Sequence, residues 1–371
     1  MYNATKPYNE LPLVSSLVIT ESRDLHHLAE ETRVAIEVLN YAINSLPSPD
    51  ILLDTLYLQE AKVSSTIENI LTTNDDLYRG IIYDNFTSEA KEVNDYKAAL
   101  FEGFRRLLEK GILSLSDIEK INMPVNRKTQ NIRTNLPNFE SDMTRIASRK
   151  TNGDIEILYT PPHGKDILQQ QLIDMLDFIY NDDVYLLHPL VKIALAHYQF
   201  ESIHPFRDGN GRTGRILNIL FLCQKGYLSY PVLYASSFIV QNKNEYYDLL
   251  QSCRETESYQ EFIEYMLKSF LITAKKTLSI VEAIVEMLHF YTNESFLSRL
   301  KGQKPVLEDM MIMIFKKVYV RVADLVEAGV HRQTAAKYLD QLVDEGFLLK
   351  EKIGRDNLYI NKELLKLFEG D

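Results

Sequence analysis

The feature that most restricts the fold is a segment that follows a glycine-rich turn and is apolar on nearly every side. In GRTGRILNILFLCQKGY, the residues Ile216, Leu217, Ile219, Leu220 and Phe221 recur around a helix rather than along one stripe. A helix that is apolar all round has to be covered on all its faces. The sequence therefore predicts a mainly α fold, with this helix in the middle of a bundle.

Helical periodicity also marks several other segments. In LHHLAEETRVAIEVLNYAINSLPSP, apolar residues recur near the 3.6-residue period until two prolines end the segment. The apolar positions of this amphipathic helix are Leu28, Val34, Ile36, Val38, Leu39 and Ile43. Further helices are expected in LLDTLYLQEAKVSSTIENIL, EVNDYKAALFEGFRRLLEKG, DILQQQLIDMLDFIYN and HPLVKIALAHYQFESI.

Two regions depart from this helical pattern. Between about 121 and 165 the periodicity fades, and IEILYT with the Thr-Asn-Gly-Asp turn at 151–154 predicts a β-hairpin or flap. The last seventy residues read as a short helix, a turn at Gly329, a second helix and two short β segments around Gly354. The second helix is expected to bury Ala335, Tyr338, Leu339, Leu342 and Val343. This order predicts a winged helix-turn-helix.

Composition narrows the classes of function. The 371 residues are 45% hydrophobic, so the chain can bury a large core. The sequence has no run of eighteen apolar residues and no basic leader, so we expect neither a membrane span nor a signal peptide. Only Cys223 and Cys253 occur, which favours two buried packing residues in a reducing, cytoplasmic setting. The net charge of −11 is the wrong sign for a protein whose main task is to bind nucleic acid.

The stretch HPFRDGNGRTGR, residues 204–215, combines features that suit a polyphosphate. The DGNG turn and the start of the next helix, near Arg212, direct free N–H groups and the positive end of the helix dipole into one concavity. Arg212 and Arg215 are three residues apart, so both guanidiniums lie on one side of the first turn. We therefore expect an anion site here.

Two further residues of this stretch suggest a reaction rather than binding alone. Asp208 would repel phosphate unless a divalent cation lies between them, and Mg²⁺ takes one carboxylate together with phosphate oxygens. His204 can accept the proton of an incoming hydroxyl and so make that oxygen the nucleophile at phosphorus. Each residue alone has an ordinary structural explanation, but together they indicate one site. Phe206 is expected to anchor the loop in the core.

The stretch matches the signature of the Fic (filamentation induced by cAMP) domain family, His-x-Phe-x-Asp/Glu-Gly-Asn-Gly-Arg-x-x-Arg. The resemblance implies a protein adenylyltransferase, which transfers AMP from ATP to a Ser, Thr or Tyr hydroxyl of a target protein, with His204 as catalytic base and Asp208 as Mg²⁺ ligand. Its implied ATP contacts are Gly209, Asn210, Gly211, Arg212, Thr213, Gly214, Arg215 and, in NKNEYYDLL, Tyr247 rather than Tyr246. IRT at 132–134 and YTPP at 159–162 resemble the flap that holds the target chain by strand addition.

Upstream, SSTIEN is similar to the family's inhibitory motif, Ser/Thr-x-x-x-Glu-Gly/Asn, with Ser64, Glu68 and Asn69 at its defined positions. Ser64 and Glu68 are four residues apart, hence expected on one helix face. A carboxylate paired with Arg215 would remove the guanidinium that the γ-phosphate needs and would repel ATP at the same site. The resemblance thus implies an autoinhibited enzyme, with Glu68 at the edge of the ATP site.

We expect three units: an N-terminal helical region at 1–115 carrying an inhibitory helix at about 55–75, a catalytic core at 116–275 with a flap at about 131–162, and a winged helix at 285–371. Residues 301–371 contain twelve Lys or Arg and twelve Asp or Glu, so contact with protein is favoured over DNA for this last unit. The alternative function is a DNA-binding regulator whose Fic domain senses nucleotide or modifies its own chain. Removal of AMP by the same site and homodimer formation, common in the family, also stay open.

Overall fold

Helix α8, Asn210–Gln224, is covered on all its sides. Every residue from Ile216 to Leu222 is 2% exposed or less, which confirms the expectation of a central helix in a mainly α fold. The computed structural model describes residues 2–48, 50–126, 144–149, 153–233, 235–353 and 356–369. Four helices pack around α8: α2 (Asp50–Ile67), α4 (Ser88–Lys110), α5 (Leu115–Val125) and α7 (Pro189–Ile203).

Helices make up most of the N-terminal and central parts of the chain. Their bounds are α1 Arg23–Asn44, α2 Asp50–Ile67, α3 Asn74–Tyr83, α4 Ser88–Lys110, α5 Leu115–Val125, α6 Lys165–Tyr180, α7 Pro189–Ile203, α9 Ser236–Gln241, α10 Lys243–Thr256, α11 Gln260–Thr292 and α12 Glu294–Leu297. Helix α5 extends into the region where the sequence pattern predicted an interruption, with Pro124 inside its last turn.

Helix α1 buries a narrower stripe than its sequence suggested. Ile36, Leu39 and Ile43 are completely buried, whereas Val34 and Val38 are 49% and 47% exposed. The main neighbour of α1 is the long helix α11, and a single neighbouring helix covers only positions spaced alternately three and four residues apart. Thr32 belongs to that stripe because its hydroxyl donates to the carbonyl of Leu28 and is thereby satisfied without water.

The hairpin consists of β1, Ile146–Arg149, and β2, Ile155–Tyr159, which pair antiparallel with Ala147 opposite Ile157. The expected hairpin is therefore present. The first two residues of the expected turn, and IRT at 132–134, lie outside the described residues.

The C-terminal unit, residues 304–369, combines four helices with a small sheet. Its elements are α13 Lys304–Phe315, β3 Tyr319–Arg321, α14 Val322–Glu327, α15 Arg332–Asp344, β4 Leu348–Ile353, β5 Asp356–Asn361 and α16 Lys362–Glu369. The strand order is β3-β5-β4, all antiparallel. Gly329 has a φ of 93° between α14 and α15. Ala335, Tyr338, Leu339 and Leu342 are buried, Val343 is half-buried, and Gly354 lies outside the described residues.

Two expectations from composition can be compared with the structure. No helix in the described part of the chain is both long enough and apolar enough to span a bilayer. Cys253 is buried as expected, whereas Cys223 is only half-buried near the end of α8.

Gly103 allows α4 to approach α8 closely. A Cβ atom at this position would lie 2.5 Å from Leu220 Cδ1 and 3.0 Å from Ile121 Cδ1. We therefore expect Gly103→Val to lower the free energy of unfolding by about 1–3 kcal/mol, because overpacking forces a shift of packed helices. Urea unfolding measures this loss. Ala98→Val on the exposed side of the same helix is the matched control, and an equal loss in both variants would contradict the packing explanation.

Candidate active site

His204 follows directly after α7, in a loop whose shape is fixed by Asn210. The backbone of His204 is left-handed, with a φ of 49°, an uncommon conformation for a residue with a side chain. The Asn210 side chain accepts a hydrogen bond from the Phe206 N–H and donates one to the Phe206 carbonyl, each at 2.8 Å. Phe206 is 1% exposed, so it anchors the loop in the core as expected.

Contacts from α5 hold the start of α8 in place. Asn122 Nδ2 donates to the Asp208 carbonyl at 3.2 Å and to Thr213 Oγ1 at 3.0 Å. Gly209 has a φ of 74°, and a Cβ there would lie 2.8 Å from Val125 Cγ1. The helix begins at Asn210, two residues earlier than expected. The glycine turn lies against α5. The first N–H groups of the helix have no acceptor within the helix, so they can donate to an anion.

Arg215 is the most heavily engaged of the expected site residues. Its side chain is 2% exposed. Nε donates to Ser64 Oγ at 2.7 Å, while Nη2 donates to the Ser64 carbonyl and to Glu68 Oε1, both at 3.0 Å. The N–H groups of Nη1 have no hydrogen-bond acceptor among the described residues. The structure thus brings Glu68 onto Arg215, as the sequence analysis expected, and adds two contacts with Ser64 that it did not predict.

Glu68 is not part of the helix on which it was expected. Helix α2 ends at Ile67, and Asn69 has a left-handed φ of 61°. Glu68 N–H still donates to the Ser65 carbonyl, so the chain makes one last turn before it leaves the helix. The inhibitory segment is therefore a helix followed by a turn, not one continuous helix over 55–75.

The Glu68 carboxylate also lies against the first turn of α8. A Cβ atom at Gly211 would come within 2.5 Å of Glu68 Oε1 and 2.9 Å of Arg215 Nη1. Burial acts to raise the pKa of Glu68, but the guanidiniums of Arg215 and Arg212 outweigh it and hold the pKa below its ordinary value. Glu68 is therefore an anion at a helix start that favours anions.

The guanidiniums of Arg212 and Arg215 do not lie side by side, although both were expected on one side of the first turn. Arg212 Nη1 donates to Glu92 at 3.3 Å, and its Nη2 lies 3.8 Å from Asp208 Oδ1. The Asp208 side chain is 69% exposed, so its carboxylate is open to a ligand. The two arginines line different cavities, and Glu68 borders both.

These cavities meet at three residues, Glu68, His204 and Gly211. One, of about 280 Å³, is polar and contains Asp208, Asn210 and Arg212 in its wall. The other, of about 470 Å³, extends from Arg215 to the hairpin. Its remaining walls are Arg145, Ile146, Ala147, Leu158, Tyr159, Glu201, Tyr246, Tyr247, Asp248, Leu250, Gln251 and Arg254. A nucleotide has the size and the polarity for this larger cavity.

Tyr246 and Tyr247 both line the larger cavity, although they differ in exposure. Tyr246 is 1% exposed and its hydroxyl is hydrogen-bonded to His197 Nε2 at 2.8 Å, whereas Tyr247 is 43% exposed. Tyr246 is thus fixed in the core, and Tyr247 is the one with a free surface toward the cavity.

Glu201 is a member of this site that the sequence analysis missed. It is 8% exposed, lines the larger cavity, and its Oε1 has no hydrogen-bond partner among the described residues. Burial raises its pKa to about 7, against the attraction of Arg215. Gly214 gives it room, since a Cβ there would lie 2.5 Å from Glu201 Oε1. Its position three residues before His204, on the helix that presents the loop, was the available signal.

Arg254 is the second missed residue and connects the hairpin to the core. Its guanidinium carbon lies 3.9 Å from the centroid of the Tyr159 ring, at the end of β2. The Tyr159 hydroxyl donates to the Ser202 carbonyl at 2.7 Å. The hairpin is therefore anchored two residues before His204.

Comparison with family models identifies three matching regions. Residues 26–105 match the Fic/DOC family N-terminal model, residues 90–222 match the Fic/DOC family model, and residues 299–364 match the C-terminal domain of the protein adenylyltransferase SoFic-like. Together the first two cover more than half of the chain, and the second contains the loop, the glycine turn and both arginines described above.

The chain belongs to the Fic/DOC family. Among relatives, the protein adenylyltransferase Fic of Nematostella vectensis is 33% identical over 110 residues, which is 30% of this chain and 24% of the relative. Protein adenylyltransferase fic-1 of Caenorhabditis briggsae is 32% identical over 107 residues, 29% of this chain and 20% of the relative. This Fic chain thus matches only about a fifth to a quarter of the length of these relatives.

Solved structures of Fic proteins share the fold. A Fic family protein from Desulfovibrio desulfuricans G20 aligns with a TM-score of 0.56 at 19% identity, over 94% of this chain and 98% of that chain. Fic-1 (residues 134–508) from C. elegans aligns with a TM-score of 0.52 at 21% identity, over 70% of this chain and 74% of that chain.

Glu201 should make the stability of this Fic chain fall as the pH rises. Its carboxyl ionises near pH 4.3 in the unfolded chain but near 7 in the folded one, so between these values the folded state binds the extra proton. The wild type should therefore lose stability relative to Glu201→Gln as the pH rises from 4.5 to 8. We expect the difference in the free energy of unfolding to grow by up to about 3 kcal/mol, at about 1.4 kcal/mol per pKa unit.

Urea unfolding at several pH values measures this difference. The exposed Glu282→Gln, on α11, is the control and should follow the wild type. A constant difference between Glu201→Gln and the wild type across this range would contradict a buried, titrating Glu201.

Proposed function

We propose that this chain is a protein adenylyltransferase that transfers AMP from ATP to a Ser, Thr or Tyr hydroxyl of a target protein. One observation carries the proposal: a histidine, a helix start and an arginine converge where two cavities meet, and a carboxylate of the same chain already lies there. A phosphate has the same charge and hydrogen-bonding needs as that carboxylate. The names of the relatives support the same reaction.

The proposed step is a displacement at the α-phosphorus of ATP. The target hydroxyl oxygen forms the new bond to phosphorus as His204 takes its proton, and the bond to the β-phosphate oxygen breaks to release pyrophosphate. The start of α8 and the guanidiniums of Arg212 and Arg215 would hold the phosphates. The larger cavity, with Tyr247 in its wall, has room for the nucleoside.

Asp208 is the proposed Mg²⁺ ligand. Its exposed carboxylate borders the polar cavity, and the described residues contain no group of three or more His, Cys, Asp or Glu that could hold a metal alone. This donor set fits Mg²⁺, which takes one carboxylate and obtains its other oxygens from phosphates and water. When bound, the ion would neutralise phosphate charge.

We propose the hairpin as the binding surface for the target chain. Among the described residues it is a two-stranded sheet, so strand edges are available for an added strand. Its residues Ile146 and Ala147 line the same cavity as His204, so a peptide on this edge would bring a hydroxyl toward the histidine.

Glu68 is the proposed inhibitor. The γ-phosphate would have to bind Arg215, yet in the structure two of the Arg215 nitrogens are already occupied by Ser64 and Glu68. The carboxylate would also repel the triphosphate from the start of α8. ATP would therefore bind productively only after Glu68 moves away.

We infer that the C-terminal unit is a winged helix and that DNA is not its main partner. Its balance of twelve basic and twelve acidic residues over 301–371 gives no net attraction for a polyanion. The alternative of a DNA-binding regulator would need strong, sequence-selective binding that this charge balance does not favour.

His204→Ala should separate binding from chemistry. We expect ATP affinity close to that of the wild type and transfer lowered about 100-fold or more, the usual scale for a lost general base. Calorimetry with ATP and Mg²⁺ measures the first, and labelling of the chain and of lysate proteins with radioactive ATP measures the second. His289→Ala, an exposed histidine on α11, is the control. Near-normal transfer by a folded His204→Ala protein would contradict the assignment.

Glu68→Gly should activate the enzyme. A hydrogen bond between charged groups contributes about 1.5–3 kcal/mol, so its removal should raise transfer about 10- to 100-fold. Labelling with radioactive ATP measures the rise.

Two companion variants separate release of Arg215 from a structural effect. Arg215→Ala, alone or combined with Glu68→Gly, should be inactive because the phosphate contact is lost. Glu92→Gln removes a carboxylate from Arg212 instead and should not reproduce the activation. Unchanged or lower transfer by a stably folded Glu68→Gly protein would rule out inhibition by this residue.

A further inference from the structure

Glu68 belongs to a short segment, residues 68–73, that connects α2 to α3. At its far end Thr73 caps α3: the Asp76 N–H donates to Thr73 Oγ1 at 3.0 Å, and the Thr73 hydroxyl donates to Asp76 Oδ2 at 2.6 Å. With α2 at one end and a capped helix at the other, six residues have little freedom. The position of Glu68 therefore depends on where α3 lies.

Three residues of helix α3, near its start, its middle and its end, are hydrogen-bonded to the C-terminal unit. Arg79 Nη2 donates to Glu351 Oε2, on β4, at 2.6 Å. The Tyr319 hydroxyl, on β3, donates to Asp75 Oδ1 at 2.8 Å. Arg321 Nη1 donates to the carbonyl of Ile82 at 3.1 Å.

Ring packing and the end of the chain add to this contact. The rings of Tyr78 and Tyr319 lie 5.1 Å apart, and both residues are buried. Asn74 Nδ2 also reaches the carbonyl of Phe368, on α16, at 3.4 Å. Three separate elements of the C-terminal unit, β3, β4 and α16, thus contact one ten-residue helix.

A buried polar cluster links the same helix back to the inhibitory motif. Asn74 Oδ1 accepts from Lys62 Nζ at 2.8 Å and from Gln59 Nε2 at 3.3 Å. Gln59 Nε2 also donates to the Tyr78 hydroxyl at 3.0 Å. Gln59 and Lys62 precede Ser64 on α2, so α3 cannot shift without disturbing the helix that binds Arg215.

We propose that the C-terminal unit is the regulatory domain of the inhibitory segment. Docked on α3, it fixes residues 68–73 so that Glu68 stays on Arg215; undocked, it releases α3, the segment gains freedom, and Glu68 leaves the start of α8. The inference rests on the proposed inhibitory role of Glu68. The C-terminal unit would then act on another part of the same chain, a role that requires no net positive charge.

The test weakens docking from the C-terminal side, outside the catalytic core. Glu351→Lys places a cation opposite Arg79, and Tyr319→Phe removes only the hydroxyl that reaches Asp75. Lys352→Glu, an exposed charge reversal at the next position of the same strand, is the matched control. Each protein is made as the full chain, and thermal unfolding shows that it is folded.

Two measurements are made on each protein. Hydrogen exchange of the Glu68, Asn69 and Ile70 amides, which bond to α2 carbonyls, should be at least 3-fold faster in Glu351→Lys combined with Tyr319→Phe. Transfer of label from ATP should rise about 3- to 10-fold. Adding Glu68→Gly should raise transfer only to the level of Glu68→Gly alone, because both changes act through one carboxylate.

The outcomes distinguish this inference from the proposed function. Unchanged exchange in the docking variants overturns the inference whatever the activity. Faster exchange without more transfer, in a protein that Glu68→Gly activates, overturns it too, as does a rise in transfer that adds to that of Glu68→Gly. If Glu68→Gly itself gives no activation, the proposed inhibition fails instead, while the exchange rates still report whether the unit holds the segment.

Discussion

A guanidinium that is almost completely buried must have acceptors, and this requirement organises the N-terminal half of the molecule. Arg215 lies on the central helix, and Glu68, Tyr246 and Glu201 are among the groups that act on its charge. Its acceptors come from α2 and the turn that follows it, more than a hundred residues earlier in the chain: the hydroxyl and carbonyl of Ser64 and the carboxylate of Glu68. The same contacts therefore fix α2 on the core and neutralise the charge of Arg215.

Patterns that depend on neighbouring residues were well predicted from the sequence. The anchoring role of Phe206 follows from local spacing and is confirmed. The start of α8 was predicted to within two residues, and four of the five expected positions on the buried side of α15 are buried. Contacts that depend on distant helices were harder. Val34 and Val38 have helical spacing, but only the helix that packs on α1 decides which positions are covered.

The candidate site shows the same division. The pairing of Glu68 with Arg215 was expected from the family resemblance, whereas the contacts of Ser64 with the same guanidinium were not. The end of α2 at Ile67 and the turn at Asn69 were also not predicted, because the apolar spacing continues past them. Nothing in the sequence pairs Arg212 with Glu92, since that contact requires α4 to lie beside α8. Glu201 was missed because its one signal, a position three residues before His204 on a mostly apolar helix, does not form a motif.

The glycine at 211 has a consequence for how this site can change in evolution. A Cβ atom at this position would lie 2.5 Å from Glu68 Oε1 and 2.9 Å from Arg215 Nη1, so a larger residue at 211 requires the ends of these two side chains to shift. The residue at 211 and the residue at 68 are therefore not independent positions. Among descendants of this sequence, residues 68 and 211 should therefore change together. Replacement of Gly211 by a larger residue would mark lineages in which the carboxylate no longer restrains the site.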